Sequence, residues 1–491
     1  MNFPAVSFAA IWPVTIVTAT AVFVLMLGLY TAEERRHTLG YWSIAGLALA
    51  FVVNLFQWDH KVTSMAETFQ GMVVQDNFSV FVNGVMLLVG VMTMLISMDY
   101  LRREDINLDE YYGLVLVALA GMMLMASSTS LMTIFVALEL FSICLYVLAA
   151  FNRRRQKSQE AGLKYFLLSS FASAFLLYGM ALIYGATGTT LLPVIGTYLA
   201  KGQGLDNAIL LAGVGLLTVG LAFKMSAVPF HVWTPDVYEG SPGPVTAFMS
   251  VGTKLAAFGA FVRVFAGALP SLSNRWMAMV WVLAVLTMIV GNVAAVVQSN
   301  VKRMLAYSGI AHAGYILIAV VIAQQSLGIS SILFYFLVYT FMNIGAFAVV
   351  IAVSRRNEEQ GATLADFAGM GARQPWLAAT MALFMFSLAG FPPTAGFLAK
   401  FYIFSAAVSN GHTELAIIGV LCSLISVFYY LRVIFVMYMR PQERVATPIS
   451  LPFAVMLVLA VSAAVSIGLG IFPGRFLDLA QHSMMAAISG R

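Results

Sequence analysis

Runs of roughly 20 apolar residues, each long enough to cross about 30 Å of hydrocarbon as a helix, succeed one another along this chain from end to end. No soluble-sized polar stretch lies between them. The charged fraction is 10%, whereas an ordinary soluble domain carries about 25%. We therefore read residues 1–491 as a single all-α polytopic membrane domain. Windows of about 19 residues place some fourteen spans, beginning at 10–30 and closing at 450–472. The start, MNFPAVSFAAIWPVTIVTATAVFVLMLGLY, has no basic leader and runs on into a full span, so it reads as the first helix and not as a cleaved signal.

Basic residues test that count. Loops after odd-numbered spans hold Arg35, Arg36, Arg102, Arg103, Arg153, Arg154, Arg155, Lys157, Lys302, Arg303, Arg355, Arg356, Arg373, Arg440 and Arg444. The other internal loops hold only Lys61, Lys201 and Arg275. Such a bias puts the odd-loop face in the cytoplasm and both termini on the opposite side. It also accounts for the net charge of +5 without nucleic acid as a partner. The two cysteines, Cys144 and Cys422, lie far apart in apolar segments, a pattern that supports no disulfide, iron–sulfur cluster or structural metal.

Two spans are interrupted. The seventh, 208–229, meets Pro229, and the twelfth, 376–408, is too long for one straight crossing and contains Pro392 and Pro393. They are five spans apart, an odd offset that inverts topology. Broken helices in corresponding positions of two halves point to inverted repeats, here 111–267 (spans four to eight) and 276–438 (spans nine to thirteen). Inversion also explains why Lys224 precedes its break while Lys400 follows its own.

Four ionisable groups fall deep inside spans: Glu139, Lys224, Lys254 and Lys400. On insertion scales each costs about 2.5–3.5 kcal/mol at the bilayer centre unless it meets a partner or water. They form register-holding ion pairs or they carry protons. One glutamate cannot neutralise three lysines, so part of the set must shed protons or meet water. A lysine in low dielectric gives up its proton near neutral pH, and a nearby carboxylate opposes that loss. Moving Glu139 relative to Lys224 would thus switch the lysine between holding and yielding its proton. The breaks at Pro229 and Pro392 free backbone carbonyls that can bind water, with Ser226, Thr246, Ser250, Thr253, Ser387 and Thr394 as further hydrating groups. Lys164 either extends the line of charge or snorkels to the interface. His312 either relays protons or is a hydrogen-bonded core histidine. His231 reads as a rim residue, and Arg263 and Arg432 as positioning or lipid-contact groups near helix ends. The glycines of GVGLLTVG, 213–220, lie in an apolar helix with neither GxGxxG spacing nor a preceding strand, so they make no dinucleotide site.

The run KMSAVPFHVWTPDVYEGSPGPVTAFMSVGTKLAAFG, 224–259, resembles the signature of the antiporter-like membrane subunits of respiratory complex I, the NADH-quinone oxidoreductase. EAGLKYFLLSSFASAFLLYGMALIYG, NVKRMLAYSGIAHAGY and SLAGFPPTAGFLAKFY are similar to the subunit N branch of that family. The resemblance covers essentially the whole chain. It implies fourteen helices with two inverted five-helix repeats, and a proton channel in which Glu139, Lys224, Lys254 and Lys400 match the family's ionisable positions, with Lys164 matching a further lysine. It implies that NADH, FMN, iron–sulfur clusters and quinone belong to other subunits, with no cofactor or metal on this chain. Subunit K-like and subunit M-like neighbours in a bacterial inner membrane are implied as partners, together with the lipid bilayer. Two alternatives stand beside this: a subunit of a multi-subunit sodium/proton antiporter, and an inert structural membrane subunit.

Overall fold

Regular structure among the described residues (8–59, 69–325, 327–354, 363–441 and 451–488) of this computed structural model is helical, with extended backbone paired only at isolated bridges such as Ser130 with Leu191. The basic residues Lys61, Arg355, Arg356 and Arg444 lie outside the described residues. The N-terminal helices are α1 (Trp12–Tyr30), α2 (Thr38–Phe56) and α3 (Asn77–Arg103). Next come α4 (Asp109–Ser127), α5 (Leu131–Ala149), α6 (Gln156–Thr187), the short α7 (Leu192–Ala200), α8 (Ala208–Met225), α9 (Trp233–Gly240) and α10 (Gly243–Phe261). The second part comprises α11 (Ser273–Val296), α12 (Val301–Val321), α13 (Gly328–Val353), α14 (Met370–Arg373), α15 (Pro375–Ala389), α16 (Ala395–Ser409) and α17 (Thr413–Met439), followed by α18 (Phe453–Ile471) and α19 (Gly474–Ile488).

Among the described residues thirteen helices are long and apolar enough to cross a membrane, and the pair α15 and α16 supplies the remaining predicted crossing in two pieces. The chain is a multi-pass membrane protein. Helices α7 and α19 escaped the sequence reading because a window sized for crossings passes over short amphipathic pieces.

Burial divides the helices into two classes. α10 is buried along its whole length, and α12 and α13 nearly so, whereas α1, α2, α6, α17 and α18 expose broad apolar faces. A helix that is apolar all round is a core helix or a lipid-facing one; here α10, α12 and α13 form the protein core and the others surround it.

Both interrupted spans end their first half in the same way. α8 stops at Ser226, which adopts φ +63°, with Ala227 N–H donating to Ala222 O (2.9 Å). α15 stops at Gly390, φ +89°, with Phe391 N–H donating to Phe386 O (3.0 Å). This left-handed residue with a six-to-one hydrogen bond is the Schellman terminus, favoured by glycine because it lacks a Cβ. The seventh span therefore ends four residues earlier than Pro229 suggests: the left-handed Ser226 closes the helix, and Pro229 sits in the turn beyond it. α6 packs on both halves, α8 and α9, of the first interruption, and α13 packs on both halves, α15 and α16, of the second.

The glycines 213–220 have a packing role. A Cβ placed on Gly179 of α6 would lie 2.6 Å from Leu217 N and 2.7 Å from Gly213 O of α8, so the two backbones touch. Small residues allow such close approach between membrane helices. Gly179→Leu is expected to push α6 off α8 and destabilise the chain by about 1–3 kcal/mol, the usual range for overpacking. A lowered thermal transition of the purified assembly measures it, and an unchanged transition contradicts the contact.

Candidate functional site

Lys224 is the penultimate residue of α8, where the negative end of the helix dipole favours a cation. Its Nζ donates to Ser142 Oγ of α5 (2.7 Å) and Ser169 Oγ of α6 (2.6 Å). The rings of Phe141, Tyr146, Tyr165 and Phe223 surround the ammonium with centroids 5.4 to 5.9 Å away. Glu139, one helical turn before Ser142, is half-buried, and its Oε1 accepts from Ser173 Oγ at 2.5 Å. Ser169 and Ser173 are one turn apart on α6. Glu139 and Lys224 are thus joined through serines rather than in direct contact.

Lys400 in α16 reaches back to the end of α15, donating to Ala389 O (2.9 Å) and Ser423 Oγ (2.9 Å) and lying 5.0 Å from the Tyr315 ring centre. The carbonyl freed by the second break is therefore held by Lys400 itself. Inversion of the sequence order still leaves each lysine at the carbonyl end of a half-helix, the attractive end for an ammonium.

Between them Lys254 of α10 donates to Gly309 O of α12 (2.6 Å) and lies 5.9 Å from the Tyr238 ring centre. Glycine leaves room for this approach, since a Cβ at 309 would sit 2.6 Å from Lys254 Nζ and 3.0 Å from Tyr339 Oη. One turn along α12, His312 is bracketed by Tyr335 Oη at Nδ1 (2.5 Å) and Tyr430 Oη at Nε2 (3.1 Å). Tyr430 also bonds Ser308, and the His312 ring lies 5.7 Å from that of Tyr315. Tyr165, stacked 4.6 Å from Trp233, and Tyr238, 6.1 Å from the same ring, link the Lys224 and Lys254 environments.

The sequence-predicted residues thus form one buried row: Glu139 at its outer end, then Lys224, Lys254, His312 and Lys400. Lys224, Lys254 and His312 are each 1% exposed and Lys400 is 4% exposed. None of the three lysines forms an ion pair among the described residues; their partners are hydroxyls, carbonyls and aromatic faces. The hydroxyls of Tyr165, Tyr238 and Tyr339 are buried along this row with no protein partner among the described residues. Hydroxyls in that position have the capacity to hold water.

Other predicted residues lie apart from the row. Lys164 is half-exposed at the odd-loop rim, paired with Glu160 (2.7 Å) and Asp236 (2.8 Å). Asp236 also receives Arg303 (2.6 Å). Burial pushes the Asp236 carboxyl up, but Lys164 and Arg303 more than offset this and hold it below the usual carboxylate range. Pro229 and Pro392 lie exposed on the outer face of the chain, so they shape the breaks from outside. His231 is a half-buried rim residue. Among the expected hydrating groups, Thr253 bonds back to Met249 O and Thr394 to Phe391 O within their own segments. Lys302, counted as a loop charge, is buried at 3% exposure and donates to Glu239 O and Ser241 O. Ser142, Ser169, Ser173 and Ser423 were missed, although Ser142 stands one turn from Glu139 and Ser169 one turn from Ser173.

Residues 128–426 match the family model described as NADH:quinone oxidoreductase/Mrp antiporter, transmembrane. The chain is 48% identical to the NADH-quinone oxidoreductase subunit N of Trichlorobacter lovleyi, covering 98% of each chain. It is 45% identical to a subunit N of Rhizobium meliloti, covering 96% of each. Among solved structures it is similar to a chain of respiratory complex I from Thermus thermophilus, with TM-score 0.81 and 35% identity over 96% of this chain and 99% of that one. A chain of the Mrp complex from a Dietzia species shares the fold, with TM-score 0.81 at 21% identity over 97% and 98% of the two chains. The half-helix architecture, the row of buried amines and these matches agree, and the chain belongs to the NADH:quinone oxidoreductase/Mrp antiporter transmembrane family.

Proposed function

We propose that this chain is a subunit N-type, proton-translocating component of the membrane arm of an NADH-quinone oxidoreductase, and that Glu139, Lys224, Lys254 and Lys400 carry the proton with His312 between the last two. The observation that supports it best is the row of three buried lysines without ion pairs. Pins that merely hold register would be neutralised by carboxylates, because an uncompensated buried charge costs about 3–5 kcal/mol. Lysines set on hydroxyls and carbonyls can lose and regain a proton without breaking a salt bridge.

Glu139 sits at the outer end of the row and reaches Lys224 only through Ser142, Ser169 and Ser173. A change in its charge or position alters the field at Lys224 and so its hold on the proton. The proton then moves by way of the Tyr165–Trp233–Tyr238 region to Lys254, and past His312 to Lys400. In neutral imidazole one ring nitrogen donates and the other accepts, so a histidine between two tyrosine hydroxyls suits a relay. Residues 111–267 and 276–438 are the two inverted repeats, a reading supported by the matching Schellman termini and by the matching packing of α6 and α13.

NADH, FMN, iron–sulfur clusters and quinone are assigned to other subunits, and subunit K-like and subunit M-like chains are the expected neighbours. The odd-loop face is assigned to the cytoplasm of a bacterium, with both termini in the periplasm. Copurification with flavin and iron–sulfur subunits separates this reading from a sodium/proton antiporter.

Glu139→Gln tests the mechanism. Glutamine still accepts from Ser173 but carries no charge, so NADH oxidation with a soluble acceptor is expected to persist while protons moved per NADH in reconstituted vesicles fall. An unchanged ratio contradicts a switching role for Glu139.

A further inference from the structure

A second polar track meets the row from the odd-loop face. Thr246, Ser250 and Lys254 stand at successive turns of α10, all at most 1% exposed. At about 1.5 Å per residue this stripe runs from one turn inside the helix to the depth of the central lysine. Opposite it on α13, Asn343 Nδ2 donates to Ser250 Oγ (2.6 Å), while its Oδ1 is buried without a protein partner among the described residues. Tyr339, one turn away on α13, carries one of the unpartnered hydroxyls and converges with Lys254 on Gly309. At the other end Ser241 Oγ is likewise buried and unpartnered. Thr246 Oγ1 donates to Tyr238 O (3.1 Å) beside it. Buried polar atoms are paired in most native interiors, so the unpaired atoms of Asn343 and Tyr339 on α13, with Ser241 just before the start of α10, point to a ligand that hydrogen-bonds them.

Resting on the function proposed above, we propose that protons also reach Lys254 along this track between α10 and α13, turnover needing both this track and the Glu139–Lys224 end of the row, and that Asn343 is the positioning residue of its middle section. The ligand is water, which can donate to Asn343 Oδ1 and both donate to and accept from the Ser241 and Tyr339 hydroxyls. Asn343 orients it by offering an acceptor while its own amide keeps Ser250 fixed.

The test uses the intact complex in vesicles with Asn343→Thr and Asn343→Val, side chains of nearly equal shape that differ in one hydroxyl. Protons moved per NADH are expected to fall in Asn343→Val as far as in Lys224→Met, and to stay near the native ratio in Asn343→Thr. Equal behaviour of the two variants overturns the proposal, whether both pump normally, both are defective or neither assembles, because packing alone would then explain the site. If Lys224→Met also pumps normally, the proposed function fails and not merely this path.

Discussion

Lys224→Met is expected to leave the complex assembled while its proton-to-electron ratio falls by the whole share carried by this chain. Methionine fills the pocket of Phe141, Tyr146, Tyr165 and Phe223 with an apolar side chain of similar length. Removing Lys224 leaves no opposite charge stranded, because it has no ion-pair partner among the described residues, and it removes the desolvation cost of a buried ammonium. Ser142 and Ser169 keep partners, since a hydroxyl in a membrane helix can bond to its own helix, as Ser142 does with Leu138 O. The companion variant Lys224→Arg keeps the charge yet is expected to pump no better, because guanidinium does not release its proton. It also has to fit a planar fork where two serines bind a compact ammonium. A cation needed only for its charge would be replaced better by arginine than by methionine. A proton carrier fails with both, and proton uptake in reconstituted vesicles, normalised to NADH oxidised, distinguishes the two cases.

The second large effect concerns stability. Arg263, in the π-helical stretch that continues α10, makes a two-pronged ion pair with Asp76 (2.7 and 2.9 Å), donates to Ala126 O and stacks 4.8 Å from the Phe78 ring centre. Asp76 also caps α3 by accepting from Ser79 N–H (2.8 Å). Arg263→Met strands that carboxylate, and breaking one side of a buried pair costs about 3–5 kcal/mol. Adding Asp76→Asn is expected to recover much of the loss, since asparagine still caps the helix.

The pH dependence separates the native pair from the broken one. Burial pushes the Asp76 carboxyl up, but the charge and hydrogen bonds of Arg263 outweigh it and hold the group below its usual range. A depressed folded value stabilises at pH above about 4 and loses that contribution as acid protonates the folded state. In Arg263→Met only burial and the cap act, so the shift is expected to reverse, and this site then gains stability as pH falls from 7 toward about 4. The buried thiols Cys144 and Cys422 offer a local readout: their labelling, followed by mass spectrometry against temperature, reports opening of this chain inside the assembly. Equal labelling curves for native and Arg263→Met complexes would contradict the role given to the pair.

How much of this was legible beforehand depended on how conspicuous each residue is. An ammonium in an apolar run cannot be missed, so Lys224, Lys254 and Lys400 announced themselves, and alternating loop charges ordered the crossings. Serines in membrane helices usually bond to their own backbone, as Thr253 does. Ser142, Ser169 and Ser173 therefore gave no signal until α5, α6 and α8 were brought together. Long-range pairs were equally hidden: Asp76 and Arg263 are 187 positions apart, and nothing local marks them as partners. Prolines marked the breaks but not their inner chemistry, which rests on Ser226, Gly390 and Ala389 O. Lys302 misled because a basic residue at a helix start ordinarily reaches water, whereas here the carbonyl end of α9 captures it.

On the proposed function the buried amines exchange protons with a hydrated interior and are not dry pins. A map of the intact complex that resolves ordered waters tests it most directly. Ordered waters are expected on the hydroxyls of Tyr165, Tyr238 and Tyr339, joining Lys224, Lys254 and Lys400 into one hydrogen-bonded line. Closed packing around those hydroxyls with no water between the lysines, or lysines turned out into lipid, would contradict it.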